Sequence, residues 1–289
     1  MSYSIGIDLG TSSIKITAIN EAAEIISRKK GYYSISRPKP NWAEQNPEDW
    51  KRSLFSTLEK ILKDLYKENN HERVKINSVG VSGQMHGLIA LNSQEETIYP
   101  AIIWADNRTK KEVEFIKETL SDSQLKRLGN PVVNSFTAPK LLWLKNNRPE
   151  LWRQFDSFIL PKDYIVYLLT GKITTEKSDA SATLLFDIEE GKWDKDIIQT
   201  LDLSPSIFPK VVEPGSKVQA IKSNIYKKLK LTGSRPMVIT AGGDAPVSSL
   251  AAGVTNSEKG CISLGTAGQI ITPIKNYISH PEAKLHSLH

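Results

Sequence analysis

The stretch from Ile5 to Lys15 constrains the fold more than any other part of the chain. It is a short apolar segment that ends at Asp8, followed by a glycine turn and a second strand that begins at Ile14. Gly10 can adopt φ > 0 and lets a ligand approach the backbone closely. The amides and hydroxyls of such a turn can donate to phosphate oxygens, and a neighbouring carboxylate suits a hydrated Mg²⁺ ion. The pattern predicts a phosphate-binding hairpin, with an ordinary Gly- and Ser-rich hairpin as the alternative.

The segments that follow extend this hairpin into a meander. Residues 14–19 alternate apolar and polar side chains, which is typical of a half-buried strand, and residues 24–33 predict a third strand. A Rossmann dinucleotide fingerprint needs a glycine turn that passes directly into a helix. The glycine turn is therefore not of that kind.

Composition places the chain among globular proteins and gives little support to other classes. The 289 residues are enough for one large or two ordinary domains, and no apolar stretch approaches the length of a membrane span. Cys261 is the only cysteine, and no secretory signal is evident, so we expect a cytoplasmic protein. The net charge of +6 comes from dispersed Lys and Arg residues, so we expect neither a nucleic-acid nor a membrane partner.

A long helix and a polar loop follow the meander. Asn46 is the predicted N-cap, with Pro47 at the first helical position and a stripe of apolar residues at spacings of three and four. The next strand, residues 76–81, ends in a loop that contains Gln84, Met85 and His86. Strand ends are the usual place for ligands in open α/β sheets. A hydrogen-bonded loop histidine and a gap-filling methionine are the alternative.

The middle of the chain offers weaker candidates. Trp104 and Asp106 could contact a polyhydroxylated ligand, or Asp106 could cap the helix that is predicted near residue 109. Asp163, Asp179 and Asp187 are interpreted as caps and turn residues rather than as catalysts. In residues 172–235, Trp193 and Phe208 are predicted to anchor loops over the core.

A second strand end carries the candidate base. The strand predicted at residues 237–240 runs into Gly242-Gly243-Asp244, and Pro246 suits the first turn of a helix. Asp244 therefore lies at a strand-to-helix corner, where it could be a general base for a hydroxyl nucleophile. A simple N-cap is the alternative. Residues 260–272 then repeat the strand, Gly-Thr turn and strand of the opening hairpin.

These motifs, taken together and in order, closely resemble those of the FGGY carbohydrate kinases, and within that family the xylulokinases. The resemblance runs through residues 6–11, 82–87, 136–141, 160–164 and 263–266, so it covers essentially the whole chain. It implies an α/β, actin-like (ribonuclease-H-like) ATPase domain in which helices flank a mixed β-sheet. Residues 1–254 would form the sugar-binding domain, and residues 255–289 would begin a second, incomplete domain of the same kind.

The resemblance also implies roles for individual residues. Asp244 would be the catalytic base, and Asp8 would hold Mg²⁺. ATP would donate the phosphoryl group to a hydroxyl of a ketose, and the resemblance favours D-xylulose as that ketose. The sugar would contact Gln84, Met85 and His86, with Trp104 and Asp106 as weaker candidates. The phosphate groups would contact the two glycine turns, at Gly10, Thr11, Ser12 and Ser13 and at Gly265 and Thr266.

Other interpretations stay open at this point. Xylulokinases commonly carry Asn after the base, whereas Ala245 follows Asp244, so gluconokinase or another family member is an alternative. A catalytically silent sugar-binding fragment is a second one, because most of the second domain would be absent. A non-sugar ATPase of the actin-like group is a third. The oligomeric state is open, and a homodimer is compatible with the sequence.

Overall fold

The computed structural model describes residues 2–264, 268–278 and 285–289. The strands are β1 Ser2–Leu9, β2 Ser13–Ile19, β3 Ile25–Tyr32, β4 Glu44–Gln45, β5 Lys75–Gly83, β6 Ile89–Leu91, β7 Ala101–Ile102, β8 Ser157–Ile159, β9 Thr174–Glu176, β10 Phe186–Asp187, β11 Lys192–Trp193, β12 Lys210–Val212, β13 Ser216–Ala220, β14 Met237–Gly243, β15 Cys261–Leu264 and β16 Gly268–Ile271. The α-helices are α1 Pro47–Glu68, α2 Lys110–Thr119, α3 Asp122–Leu128, α4 Thr137–Asn147, α5 Pro149–Trp152, α6 Pro161–Thr170, α7 Lys177–Ser181, α8 Lys195–Thr200, α9 Ser223–Lys228 and α10 Asp244–Ala251.

A six-stranded mixed sheet organises the described part of the chain. Its strand order is β13-β14-β5-β1-β2-β3. The central strands β14, β5 and β1 are parallel to one another, while β13 and the pair β2 and β3 are antiparallel to their neighbours. The predicted opening meander and the predicted mixed sheet with helices are both confirmed.

Helix α1 forms where its sequence signals predict it. The Asn46 side chain accepts a hydrogen bond from the Glu48 amide at 3.0 Å, and Pro47 occupies the first helical position. The apolar stripe that packs on the sheet contains Trp50, Leu54, Leu58, Ile61 and Leu65, all at most 3% exposed. Each such side chain contributes about 1.5–3 kcal/mol when it is fully buried.

The two faces of the sheet differ. In β1 the side chains of Tyr3, Ile5, Ile7 and Leu9 are buried in the core that also holds the stripe of α1 and residues of α6. The alternate positions of the same strand reach solvent to a greater extent, and Asp8 is the last of them. This alternation follows from the two-residue period of a strand, and it places the Asp8 carboxylate on the open face.

A second apolar core lies beyond the sheet. It contains buried residues of α2, α4, α8, β6 and β8. Trp193 packs against Phe208 with ring centroids 5.0 Å apart, and both side chains lie against this core, as the sequence predicts. Within the described ranges, none of the helices combines the length and the apolar character that crossing a membrane requires.

Candidate active site

Three parallel strands end at the same edge of the central sheet, and most of the predicted site residues follow them. Asp8 of β1 pairs with Ser82 of β5, and Gly83 at the end of β5 pairs with Gly243 at the end of β14. Neighbouring strands lie about 4.8 Å apart, so the ends of β1 and β14 are roughly 10 Å from each other. This edge is where open α/β sheets bind ligands.

The turn between β1 and β2 is tight. The Gly10 amide donates to the Ser13 carbonyl oxygen at 3.0 Å, and a Cβ atom on Gly10 would lie 3.1 Å from that oxygen. Ser12 is exposed and Thr11 is half-buried, whereas the Ser13 side chain is buried. Of the hydroxyls predicted to face phosphate, those of Thr11 and Ser12 are therefore the ones that reach solvent.

Side chains from other segments form hydrogen bonds that hold the turn between β1 and β2. The Trp104 indole donates to the Thr11 hydroxyl oxygen at 2.9 Å. The Gln45 amide donates to the Thr11 carbonyl oxygen at 2.7 Å, and the Gln84 amide donates to the Gln45 side chain at 3.0 Å. The structure thus brings Trp104, Gln84 and Thr11 into one network. Gln84 is 1% exposed, so it supports the turn rather than lining an open surface.

Asp8 faces a cation across the hairpin. Asp8 and Lys15 are paired positions of β1 and β2, and the Lys15 ammonium lies 3.0 Å from the Asp8 carboxylate. Both side chains remain more than one-third exposed. Such an exposed ion pair contributes little to stability, and both groups can be reached by an incoming charged ligand.

Asp244 begins helix α10 directly after β14. Its carboxylate accepts a hydrogen bond from the Ala245 amide at 2.9 Å, while Gly243 is the N-cap residue. Burial and, as the second cause, the negative charge of Asp8 raise the pKa of Asp244 to about 6. Backbone hydrogen bonds and the charge of Lys15 oppose this shift. A carboxyl group with this pKa can take up a proton near neutral pH, as a general base must.

Met85 connects the loop after β5 with the Asp244 corner. We call residues 84–87 the β5 loop. Met85 is 4% exposed, and a Cβ atom on Gly243 would lie 2.4 Å from its sulfur atom. Glycine at position 243 is therefore what lets the Met85 side chain pack directly under the corner.

His86 occupies an unusual backbone position and is electrically neutral. Its φ angle is +65°, which is uncommon for a residue with a side chain. Its ring Nδ1 donates to the Ala182 carbonyl oxygen at 3.0 Å and the ring packs edge-on against Phe136. Burial lowers the pKa of His86 to about 3, so the ring keeps one proton and its Nε2 atom is an acceptor.

Asp106 does not line an opening at this edge. It is 0% exposed, and its carboxylate accepts a hydrogen bond from the Ala43 amide at 2.5 Å and pairs with Arg108 at 2.7 Å. It caps no helix either, because the residue that precedes α2 is Thr109. Its described contacts are those of a structural ion pair, since both oxygens already have partners.

Sequence reasoning missed a buried charge cluster under the corner. Lys162 forms ion pairs with Asp163, with Glu176 at 3.4 Å and with Asp179 at 3.5 Å, and all four side chains are at most 1% exposed. The interpretation of Asp163 and Asp179 as caps is wrong, since neither makes a capping hydrogen bond within the described structure. Asp187 does close a turn, because it accepts from the Glu190 amide at 3.0 Å. A lysine inside the largely apolar segment 158–169 was the signal for this cluster.

The cluster is joined to the strand that carries Asp244. The Lys162 ammonium lies 3.4 Å from the Thr240 hydroxyl of β14. The Gly243 amide donates to the Ser178 hydroxyl oxygen at 3.1 Å, and that hydroxyl donates to Glu176 at 2.9 Å. These hydrogen bonds link the charge cluster to β14 and to Gly243, and so help to position the corner that carries Asp244.

The second glycine turn can be located only in part. Strands β15 and β16 pair as an antiparallel hairpin, as the repeat of the opening pattern predicts. The predicted phosphate-binding residues Gly265 and Thr266 lie outside the described residues.

Comparison with known proteins gives consistent matches along the chain. Residues 3–251 match the N-terminal domain of the FGGY family of carbohydrate kinases. The chain is 37% identical over 286 residues to the xylulose kinase of Lactococcus lactis, covering 99% of this chain and 56% of that protein. The crystal structure of a xylulose kinase from Brucella ovis superimposes with a TM-score of 0.88 at 28% identity, covering 96% of this chain and 56% of that one. A gluconate kinase from Lactobacillus acidophilus gives 0.86 at 27% identity, over 94% and 54% of the two chains.

The matches fix the family and the extent of the likeness. The chain spans about half the length of the relatives that it matches. The family match covers most of this chain, including β1, the β5 loop and the Asp244 corner. The likeness to the crystal structures agrees with the mixed sheet and its flanking helices. The chain therefore belongs to the FGGY family of carbohydrate kinases.

Proposed function

We propose that this chain is the sugar-binding part of a kinase that transfers the terminal phosphoryl group of ATP to D-xylulose, giving D-xylulose 5-phosphate. The observation that carries the proposal is the placement of Asp8 and Asp244 at one sheet edge, with the pKa of Asp244 raised to about 6. One carboxylate serves the phosphate side and the other serves the hydroxyl side. The names of the relatives support the choice of sugar.

In this proposal Asp244 acts on the attacking hydroxyl group. Its carboxylate accepts the hydroxyl proton as the sugar oxygen forms its bond to the γ-phosphorus, and the bond from that phosphorus to ADP breaks. A base of this kind contributes less to phosphoryl transfer than positioning and charge stabilisation do. The carboxylate is ionised above about pH 6, so it is ready to accept the proton at neutral pH.

The turn residues fit the phosphate side of the reaction. Mg²⁺ keeps most of its waters and takes one or two protein carboxylates together with substrate phosphates, and the exposed Asp8 carboxylate fits that donor set. The ion would neutralise charge on the transferred phosphoryl group. Lys15, the Thr11 hydroxyl and the Ser12 hydroxyl would donate to phosphate oxygens on the same face. Gly265 and Thr266 are proposed for the opposite side of the phosphates.

The β5 loop fits the sugar side. The Nε2 atom of His86 is an acceptor for a sugar hydroxyl, because Nδ1 is committed to Ala182. Met85, which is buried under the Asp244 corner, would border the carbon skeleton with its apolar side chain, and Trp104 lies next to the Thr11 turn. Gln84 and Asp106 are proposed as support for these groups, since both side chains are buried.

A second substrate class has its own support. Ala245 follows the proposed base, where the xylulokinases commonly carry Asn, so one amide that could bind a sugar is absent. Gluconate, a six-carbon sugar acid that has a terminal carboxylate and no ketone, is the alternative acceptor. The similarity in structure to the gluconate kinase favours the same alternative.

The division of the chain bears on activity. We propose residues 1–254 as the sugar-binding domain and residues 255–289 as the beginning of the second domain. Phosphoryl transfer needs a closed cleft that excludes water, and the relatives are almost twice as long as this chain. The 289 residues alone should therefore bind sugar and show little or no turnover.

Calorimetric titration of the chain with D-xylulose and with gluconate tests the proposal. We expect heat of binding with D-xylulose that is lost in His86→Ala, with Asp202→Ala as the control, because the Asp202 side chain is 95% exposed and pairs with Lys145. Preference for gluconate would favour the alternative acceptor. ATP hydrolysis that no sugar changes would instead favour an ATPase of the wider actin-like group. Full turnover of D-xylulose by the chain alone would contradict the proposal that these 289 residues bind sugar but do not complete the active site.

A further inference from the structure

We infer that Lys140 is a positioning residue for the β5 loop, so that it sets the place of His86 in the proposed sugar site; this inference rests on the proposed function. Lys140 lies on α4 and is 0% exposed. Its ammonium donates to the His86 carbonyl oxygen at 2.7 Å and to the Ser135 carbonyl oxygen. One side chain thus ties the β5 loop to the segment that leads into α4.

The backbone of His86 explains why such a tie is needed. A φ of +65° costs free energy for a residue with a side chain, so the surroundings must hold it. The carbonyl oxygen of His86 accepts hydrogen bonds from Lys140 and, at 3.2 Å, from the Thr137 hydroxyl. The ring is held separately, through Ala182. Two donors of α4 therefore fix the backbone while the ring keeps its own orientation.

The charge of Lys140 argues against simple space filling. Among the described residues, no carboxylate forms an ion pair with it within 4.0 Å, so its direct partners are carbonyl oxygens. Burial lowers the pKa of Lys140 to about 7, which reflects the cost of keeping an ammonium group there. An apolar side chain of similar length would avoid that cost. The amine donates to two backbone acceptors; an apolar residue would leave the Ser135 oxygen without this donor and the His86 oxygen with the Thr137 hydroxyl alone.

Lys140→Met removes the donors and keeps the approximate shape. Amide hydrogen exchange of the β5 loop, measured on the chain without any sugar, should speed up by about tenfold or more because the hydrogen bond from the Lys140 amine to the loop backbone is lost. Lys145→Met on the same helix is the matched control, since that lysine pairs with the exposed Asp202. Leu58→Ala, in the other core, serves as a control for general loss of stability.

Thr137→Val provides a second variant in case Lys140→Met does not fold. It removes the other donor to the His86 carbonyl oxygen and should loosen the β5 loop in the same direction by a smaller factor. Wild-type exchange rates in the β5 loop of either folded variant would overturn the inference.

Binding of D-xylulose by calorimetry tests the functional half of the inference. We expect Lys140→Met to weaken it by about tenfold or more, while Leu58→Ala, whatever its loss of stability, leaves it unchanged. Loosened exchange with unchanged affinity would overturn the positioning role. Absence of binding in the wild-type chain would count against the proposed function, and the exchange experiment would still decide on Lys140.

Discussion

The negative charge of Asp8 raises the pKa of Asp244, although the two residues follow different strands and are separated in the sequence by more than two hundred positions. Strand β5 lies between their strands in the sheet. This relationship exists because parallel strands bring their carboxyl ends to one edge. Because the relationship shifts the pKa of Asp244, titration of Asp244 tests it without any measurement of catalysis.

Replacing Asp244 with Asn should stabilise the chain near neutral pH. The pKa of Asp244 is about 6 in the folded protein, against the ordinary 3.8. Between about pH 4 and pH 6 the folded state therefore binds more protons than the unfolded state. Wild-type stability therefore falls as pH rises from about 4 to 6, by up to about 3 kcal/mol. Urea unfolding should find Asp244→Asn about 1–3 kcal/mol more stable at about pH 7.5 and equal to wild type at about pH 4. A difference that does not change with pH would contradict the raised pKa.

Asp8→Asn should lower the pKa of Asp244. The change removes the negative charge that raises this pKa, and it also releases Lys15, whose positive charge lowers it. Titration of the Asp244 carboxyl carbon by NMR measures the effect directly. Asp202→Asn is the control, because Asp202 pairs with Lys145 on another part of the surface. If the titration midpoint of Asp244 stayed near 6 in Asp8→Asn, the charge of Asp8 would not be a cause of the raised pKa.

Local patterns were sufficient to predict the elements that position the site. The meander of β1–β3, helix α1 and the strand ends before the β5 loop and Asp244 all follow from periodicity, caps and glycine turns within short windows. The order β14-β5-β1 could not be read in this way, because those pairings join segments far apart in the sequence. The same limit applies to the Lys162 cluster, whose acidic partners come from α6, β9 and α7.

Asp106 shows a different limit of sequence reasoning. A short acidic residue near a tryptophan and an asparagine has the composition of a sugar site, and the sequence offered only a helix cap as the other role. Its actual partners are Arg108, two positions away, and the Ala43 amide. Only the folded structure shows that both carboxylate oxygens are used. The roles of the exposed groups, Asp8 and Ser12, stay predictions because they depend on ligands.

Gly243→Ala should disturb the site by displacing Met85. The new methyl group would lie 2.4 Å from the Met85 sulfur, so the flexible methionine must move. We expect a loss of about 1–3 kcal/mol in the free energy of unfolding, together with faster hydrogen exchange in the β5 loop. Gly80→Ala on β5 is the matched control, because its nearest neighbour atom would lie 4.0 Å away. Equal effects of the two substitutions would show that the contact with Met85 is not what requires glycine.

The buried cluster should respond in opposite ways to the loss of its cation and the loss of one anion. Lys162→Met leaves three carboxyl groups buried without their shared partner, and removal of one side of a buried ion pair costs about 3–5 kcal/mol. Asp179→Asn should cost much less. Burial raises the pKa of Asp179 well above its usual range, and the nearby carboxylates oppose the attraction of Lys162, so a neutral amide resembles its protonated form.

Urea unfolding of both variants at about pH 7 measures this contrast. Asp179→Asn should also flatten the dependence of stability on pH, since a group with a raised pKa loses its stabilising proton as pH rises. Lys145→Met controls for the removal of a lysine that pairs with an exposed partner. If Asp179→Asn were as damaging as Lys162→Met, Asp179 would have to be an ionised partner that the cluster needs. The corner that carries Asp244 would then depend on an ionised Asp179 and not on a protonated one.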